Sequence, residues 1–415
     1  MIQICEMKRQ GPHFLFFLWF FISQGAWSVS VIPYSLFLVF NFTFSLAISI
    51  LFLRNSNKQF VVCFKRIYFL FLICVLFDIV RGIFLLPGLT YWHIKAFFTN
   101  MFVIATWLTI YLASNSGFII NTMRLWLKCL PFFCFFLLLF EEPRLWANAL
   151  IPITFLLFIV KNKRIYLLLV VLSIILCCVD LESRSPIVKY GMALLISFPL
   201  FLSIKVPLFF LRIVNSLFYF LPVIFFVLAI TGNFNILSPS DYVSEPISVH
   251  STTSDTDVNF MADTRTFIYE EVILSAINNE YVMTGRTFAR GNDSYYAQDL
   301  YEGINLKERF ANESSILNVF TWMGLVGLLL YSLLFVFASF YSINHAKSIR
   351  LKFIGLYLSF IWAFSWIEIY SILEMQYVVY MMMLGMCVSK QYLKMNDDQL
   401  VSFGKQIMPF FRFVK

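Results

Sequence analysis

Residues 14–53 read FLFFLWFFISQGAWSVSVIPYSLFLVFNFTFSLAISILFL, 40 positions without one charged side chain. A helix needs roughly 20 apolar residues to cross the hydrocarbon core of a bilayer, so this run is too long for one span and suits two. The break is expected at Gln24-Gly25-Ala26-Trp27-Ser28, where small and polar residues interrupt the Phe and Leu. Lys8 and Arg9 ahead of the run, with Gly25 and Ala26 at its first end, also imitate a signal peptide. An uncleaved first span is favoured, because the next basic cluster then falls in register.

The same pattern recurs along the chain. Of 415 residues, 60% are apolar and 13% charged, against roughly 45–50% and 25% in an average soluble domain. Mean hydropathy is +0.80. With 51 Phe, 20 Tyr and 9 Trp a disordered chain is excluded, and 15 Gly with 13 Pro exclude a fibrous one. Twelve segments are expected to span: 12–28, 31–53, 67–88, 97–120, 126–140, 145–160, 165–180, 186–204, 207–230, 316–341, 353–373 and 375–389. The expected fold is an all-α polytopic membrane protein of about twelve transmembrane helices. Nine spans fall in 1–230, one large loop in 231–315, three spans in 316–389 and a tail in 390–415.

Loop charge gives an orientation, since Lys and Arg accumulate on the cytoplasmic side of short loops. Placing both termini inside puts 21 of the 31 basic residues on inner segments, at least two in each. Those segments carry Lys8 and Arg9, Arg54 to Arg66, Arg124 and Lys128, Lys161 to Arg164, Lys205 and Arg212, Lys347 to Lys352, and Lys390 to Lys415. The net charge of +8 divides into +16 in the membrane portion and −8 in residues 231–315. This distribution, without a basic surface interleaved with aromatics, argues against nucleic acid. The eight cysteines avoid the long loop and read as buried small apolar residues, with no outside disulfide framework.

The long loop has two parts. From Ser238 to Asp257, 12 of 20 residues are Ser, Thr or Asp, which reads as a flexible solvated strip. Asp263 then is expected to N-cap a helix whose apolar positions Ile268, Val272 and Ala276 recur every fourth residue, ending near Asn279. Gly285, Gly291 and Gly303 punctuate the next stretch, around Arg286, Arg290, Tyr295 and Tyr296.

Ionisable residues in spans are costly and mark function or pairing. Asp78 and Arg81 lie at the outer end of the third span on one helix face, and Glu368 in the outer part of the eleventh. Arg184 and Lys189 lie at the outer entry of the eighth, and Arg265, Arg286 and Arg290 in the outer loop. Each also fits a bland role: an intrahelical ion pair for Asp78 and Arg81, snorkelling for Arg184 and Lys189, an interfacial carboxylate for Glu368, solvated charges for Arg286 and Arg290. Together they outline a site at the outer leaflet boundary. Arginine grips diphosphate by paired N–H donors, so arginines beside lipid suit a lipid-linked diphosphate. No P-loop, GxGxxG, HExxH or CxxC pattern occurs, and the four His are scattered, so no metal or cofactor is expected.

Three motifs carry a resemblance. Glu313-Ser314-Ser315-Ile316-Leu317, followed by Gly324-Leu325-Val326-Gly327, resembles the loop-to-span element of bacterial O-antigen polymerases and ligases. Thr264-Arg265-Thr266 leading to Gly285 resembles that family's Arg-led helix before a Gly turn, and Ser183-Arg184-Ser185 its Ser-Arg-Gly motif. The motif match covers roughly 180–340, and the topology the whole chain. A ligase would carry His where this chain has Glu313, which favours the polymerase. For the Gly324 and Gly327 pair, small-residue helix packing is the alternative role.

The resemblance implies a metal-independent glycosyltransferase with a glycosyltransferase-C-like fold at the periplasmic face of the bacterial inner membrane. Its substrate would be oligosaccharide on undecaprenyl diphosphate, its surroundings membrane lipids, and it allows for a chain-length-regulating membrane protein as partner. On that basis Arg184 and Arg265 are expected to hold the leaving diphosphate, and Glu313 to orient or deprotonate the acceptor hydroxyl. Arg286, Arg290, Arg81, Asp78 and Glu368 are the expected substrate-binding residues. A ligase to lipid A core and a flippase or transporter of lipid-linked oligosaccharide stay open beside the polymerase.

Overall fold

The computed structural model describes residues 34–54, 60–137, 147–178, 184–231, 248–250, 257–259, 265–294, 307–370 and 372–408. The expected first span, 12–28, lies outside them. The described chain is mostly helical with little sheet. Its helices are α1 (Tyr34–Arg54), α2 (Val62–Leu85), α3 (Tyr91–Met101), α4 (Ile104–Ala113), α5 (Ser116–Leu137), α6 (Pro152–Ile159) and α7 (Lys163–Cys178). After them come α8 (Arg184–Phe201), α9 (Leu208–Ile230), α10 (Thr266–Asn278), α11 (Ser315–His345), α12 (Ile349–Phe364), α13 (Met375–Cys387), α14 (Lys390–Lys394) and α15 (Asp397–Ile407).

Among the described residues four stretches are long and apolar enough to cross a membrane: Val62–Leu85, Tyr91–Ala113, Leu208–Ala229 and Ser315–His345. In α9 only 6% of the most apolar window is buried, and Phe209, Phe210 and Phe220 stand exposed. An apolar helix surface of that kind needs lipid against it. α13 is the reverse, buried at all its positions between α4 and α12. A Cβ on Gly385 would stand 2.2 Å from the Ile110 carbonyl oxygen, so the two backbones touch there.

Several expected boundaries move. The span at 97–120 starts at Tyr91 and ends at Ala113, because Asn115 caps the next helix by accepting a bond from Gly117 N. Arg124 and Lys128, expected in a loop, therefore sit within α5, where Arg124 Nε donates to the Gln406 carbonyl. The span at 353–373 ends at Phe364, and residues 365–370 leave the helix to bond neighbouring elements. Glu368 is thus a turn residue. α10 starts at Thr266 with Arg265 at its N-cap, later than an Asp263 cap would start it. Part of the presumed flexible strip is paired: β1 (Ser248–His250) runs antiparallel to β2 (Asp257–Asn259). Cys387 is buried, but Cys63 and Cys178 are exposed, since small apolar side chains suit a lipid-facing surface as well as a core.

Short basic loops gather at one end of the bundle. Arg350 Nη1 donates to the Phe158 and Val160 carbonyls, Lys161 pairs with Asp398, Arg212 Nε donates to Asn344, and Lys347 N donates to the Leu393 carbonyl. The loop after α10 and the start of α11 meet at the opposite end.

α11 breaks at Gly324, whose φ of 63° and ψ of −164° end one helix and begin another. Residues 282–287 enter the break as an irregular strand of chain, a turn over 282–284 followed by Gly285 and Thr287 at positive φ. Arg286 N and Thr287 N donate to the Thr321 and Trp322 carbonyls, while Leu325 N and Val326 N donate to the Val282 and Met283 carbonyls. The groups orphaned by the break are satisfied this way, as irregular backbone at membrane depth requires. Gly285 and Gly324 make it possible: a Cβ on either would stand within 2.5 Å of the opposing backbone. Close backbone approach, not helix packing alone, is the use of Gly324. The 21 residues from Leu325 to His345 span about 31 Å, a hydrocarbon thickness. Eight of the nine residues from Ser315 to Met323 are buried, so that half is covered on all sides at the bundle's end.

Candidate functional site

The turn after α12 organises the end of the bundle opposite the basic loops. Its backbone holds the start of α11: Ser314 Oγ and Ile316 N donate to the Ser365 carbonyl, and Ser315 N to the Glu368 carbonyl. Tyr370 N donates back to Ser315 Oγ. The same turn holds α10, through a bond from the Tyr269 hydroxyl to the Trp366 carbonyl. Arg265, at the head of α10, and Glu313, just before α11, are thereby brought to 3.6 Å. Arg184 heads α8 nearby. Burial lowers the proton affinity of its guanidinium, and the adjacent Arg265 charge lowers it further. Of the three residues expected to be catalytic, Arg265 and Glu313 are in contact and Arg184 lies within electrostatic range of Arg265, although the sequence separates Arg184 from Glu313 by 129 positions.

Beside this cluster opens an apolar cavity of about 290 Å³ between α9, α10 and α12. Phe218, Phe226, Ile273 and Phe364 line it, and Thr266 and Tyr269 bring it to the residues next to Arg265. α9 forms one wall, so the groove borders the lipid-facing surface.

Beneath the turn, Lys189 reaches into the bundle. Its ammonium group, 1% exposed, donates to Glu368 Oε1 at 3.0 Å, Gln376 Oε1 at 2.9 Å and Asn148 Oδ1 at 3.2 Å. Three acceptors saturate its three N–H bonds. The snorkelling role expected for Lys189 is therefore wrong, because these partners pull the ammonium inward. Glu374 is also buried beside it. Burial pushes its pKa up to about 7, with Lys189 opposing and Glu368 adding to the rise.

The other candidates form a second assembly around the break in α11. Arg81 bonds Asp78 at 3.3 Å and donates to the Thr284 carbonyl at 2.8 Å and the Gly285 carbonyl at 2.7 Å. Arg286, threaded past Thr321, bonds Asp293 at 2.7 Å, the Gly291 carbonyl and Asn279. Arg290 chelates Glu308, which also accepts from Gly291 N and lies 3.5 Å from His93 Nε2. A short pairing of β3 (Asn292–Asp293) with β4 (Glu308–Arg309) completes the unit. Arg81, Arg286 and Arg290 thus hold the loop in the break, and the geometry gives them scaffolding contacts.

Gln376, Asn148 and Tyr269 carry the site and were not expected there, and Lys189, expected at this end, was not expected to be buried. Lys189 had a visible signal: a cation a full turn inside an apolar stretch. The carbonyls of residues 365–368 had none, since any residue supplies a carbonyl. Among the described residues no three His, Cys, Asp or Glu side chains are grouped to hold a metal ion. Comparison with protein-family models, with curated proteins and with solved structures gave no match.

Proposed function

We propose that this chain is an O-antigen polymerase, joining oligosaccharide repeat units on undecaprenyl diphosphate into polysaccharide at the periplasmic face of a bacterial inner membrane. The observation that carries the reading is the adjacency of Arg184, Arg265 and Glu313 at the end of an apolar, lipid-bordering groove. Two guanidinium charges within electrostatic range of each other repel, and a diphosphate bound between them relieves that cost. The groove takes the start of the isoprenoid chain, with the diphosphate at its polar end.

In the transfer, an acceptor hydroxyl of a second lipid-linked unit attacks the anomeric carbon of the growing glycan. The new glycosidic C–O bond forms as the bond to diphosphate breaks, and undecaprenyl diphosphate leaves with the electron pair. Arg184 and Arg265 stabilise the charge that develops on it, and Glu313 accepts the hydroxyl proton. Arg81, Arg286 and Arg290 serve by holding the loop.

Replacing Arg265 by Ala is expected to lower polymerisation by roughly 10²–10³-fold, the usual cost of one charge-stabilising donor. Lipopolysaccharide on a gel should then collapse from a ladder to a single repeat, with membrane insertion intact. A normal ladder would remove Arg265 from the site. Deleting the whole chain separates the activities. A single-repeat band supports the polymerase. Full-length polymer stranded on the carrier lipid means ligase, and no repeat at the outer face means flippase.

A further inference from the structure

The basic end of the bundle holds a second depression, of about 420 Å³, where four segments converge. They are the α6–α7 connection at Lys161, the α8–α9 connection at 202–207, the start of α12 and the start of α15. Lys161, Lys205 and Arg350 line it with one carboxylate, Asp397. Asp397 is already engaged, accepting from Ser348 Oγ at 2.5 Å and from Arg350 N at 3.4 Å. Arg350 is 8% exposed and held by its two bonds to carbonyls at the end of α6. Lys205 has no carboxylate partner among the described residues, and the 3.4 Å pair between Lys161 and Asp398 is largely exposed and so weak.

The loop carrying Lys205 is built to one shape. Ser203 adopts φ 57°, a left-handed conformation unusual for a residue with a Cβ, and Ile204 N donates to the Pro199 carbonyl across the turn at 2.9 Å. This turn ends α8 and brings Lys205 to the rim. Pro199, Leu200 and Val206 form the apolar wall, and Leu202 and Ile204 beside them are exposed.

We propose that this depression binds the phosphate of an anionic phospholipid headgroup, with Lys161 and Lys205 on the phosphate, Arg350 behind them, and the acyl chains along the exposed apolar end of α8. The proposal does not depend on the polymerase reading. A soluble phosphate ester has the same recognising chemistry. The apolar wall and the lipid-facing helix ends favour the lipid.

The test is native mass spectrometry of the purified full chain with phosphatidylglycerol or phosphatidylcholine added. Phosphatidylglycerol adducts should dominate. Each lysine changed to Gln, at Lys161 and Lys205, should lower their retention about fivefold. The corresponding Arg variants should retain them, and these decide the matter if the Gln double variant does not fold. Lys390→Gln, at the same end but outside the depression, should change nothing. Equal retention of the two lipids, or an equal loss in Lys390→Gln, would overturn the proposal. Displacement of phosphatidylglycerol by millimolar inorganic phosphate would assign the site to a soluble phosphate ester and overturn the lipid.

Discussion

At one end of the bundle Lys161 and Asp398 stand 3.4 Å apart with 66% and 86% of their side chains exposed. At the other, Lys189 is 1% exposed and bound to three acceptors. The first end has many cations and loose pairs, the second few cations and crowded ones. An exposed pair sits in high dielectric and is worth about 0–1 kcal/mol, whereas a buried charge must be compensated by its neighbours. Numbers of charges thus report which way the chain lies, and burial of charges reports where its architecture is fixed. Substitutions at the two ends should differ accordingly.

The largest effect is expected at Lys189. Lys189→Met leaves Glu368 without its buried cation and should cost about 3–5 kcal/mol, read as a lowered unfolding temperature in detergent. Because Glu368 belongs to the turn that holds α10 and α11, Arg265 and Glu313 should separate as well. Adding Glu368→Gln should restore part of the loss by removing the stranded charge. A single variant that unfolds with the parent would break the comparison, since the buried pair would then matter no more than an exposed one.

Gly324→Ala comes next. A Cβ there meets the Met283 carbonyl carbon at 2.4 Å, at a φ of 63°. The cost should be about 3 kcal/mol, concentrated in the inserted strand. Hydrogen exchange should accelerate at Arg286, Thr287, Leu325 and Val326, whose amides bond across the break. Gly191→Ala is the control. It lies within α8 with nothing near its Cβ, and should stabilise by about 0.5–1 kcal/mol.

These two positions show what was legible in the sequence. The apolar runs expose helices wherever a helix crosses lipid, because lipid contact demands apolar side chains along the whole length. Residues 62–85 and 208–230 were therefore readable to within a few positions. Arg184 and Arg265 were readable as charges on sparsely charged segments and Glu313 only from the motif resemblance, and the fold brings Arg265 and Glu313 into contact. The inserted strand was not, because its partners are backbone groups of α11 and Gly285 and Gly324 look like ordinary turn and packing glycines. Arg286 and Arg290 misled for a related reason: their partners Asp293 and Glu308 are supplied by a short strand pairing that has no periodic signature.

Glu374 gives a smaller and pH-dependent effect. Its folded pKa of about 7 lies above the ordinary carboxylate value of 4.5. The folded chain keeps a proton that the unfolded chain loses between those values, so stability falls as pH rises through that window. The cost is absent below it and complete above it. Gln, always neutral, should raise unfolding stability at about pH 8 by on the order of 3 kcal/mol and change little at about pH 4.5, read from the unfolding temperature at each pH. A gain equal at both pH values would mean that packing, not charge, limits this position.

The smallest effect is expected at Lys161, where the comparison is sharpest. Lys161→Ala removes an ion pair whose partners are both largely in solvent. In lipid-free detergent it should change stability by less than about 0.5 kcal/mol, and equally little at high salt. The same variant should still lower retention of phosphatidylglycerol, because a cation held loosely by Asp398 is available to a phosphate. Stability and lipid binding would then respond to different ends of the molecule. A loss above about 1 kcal/mol without lipid would mean that Lys161 holds the start of α15 in place. The basic end would then resemble the opposite end more than its exposed pairs suggest.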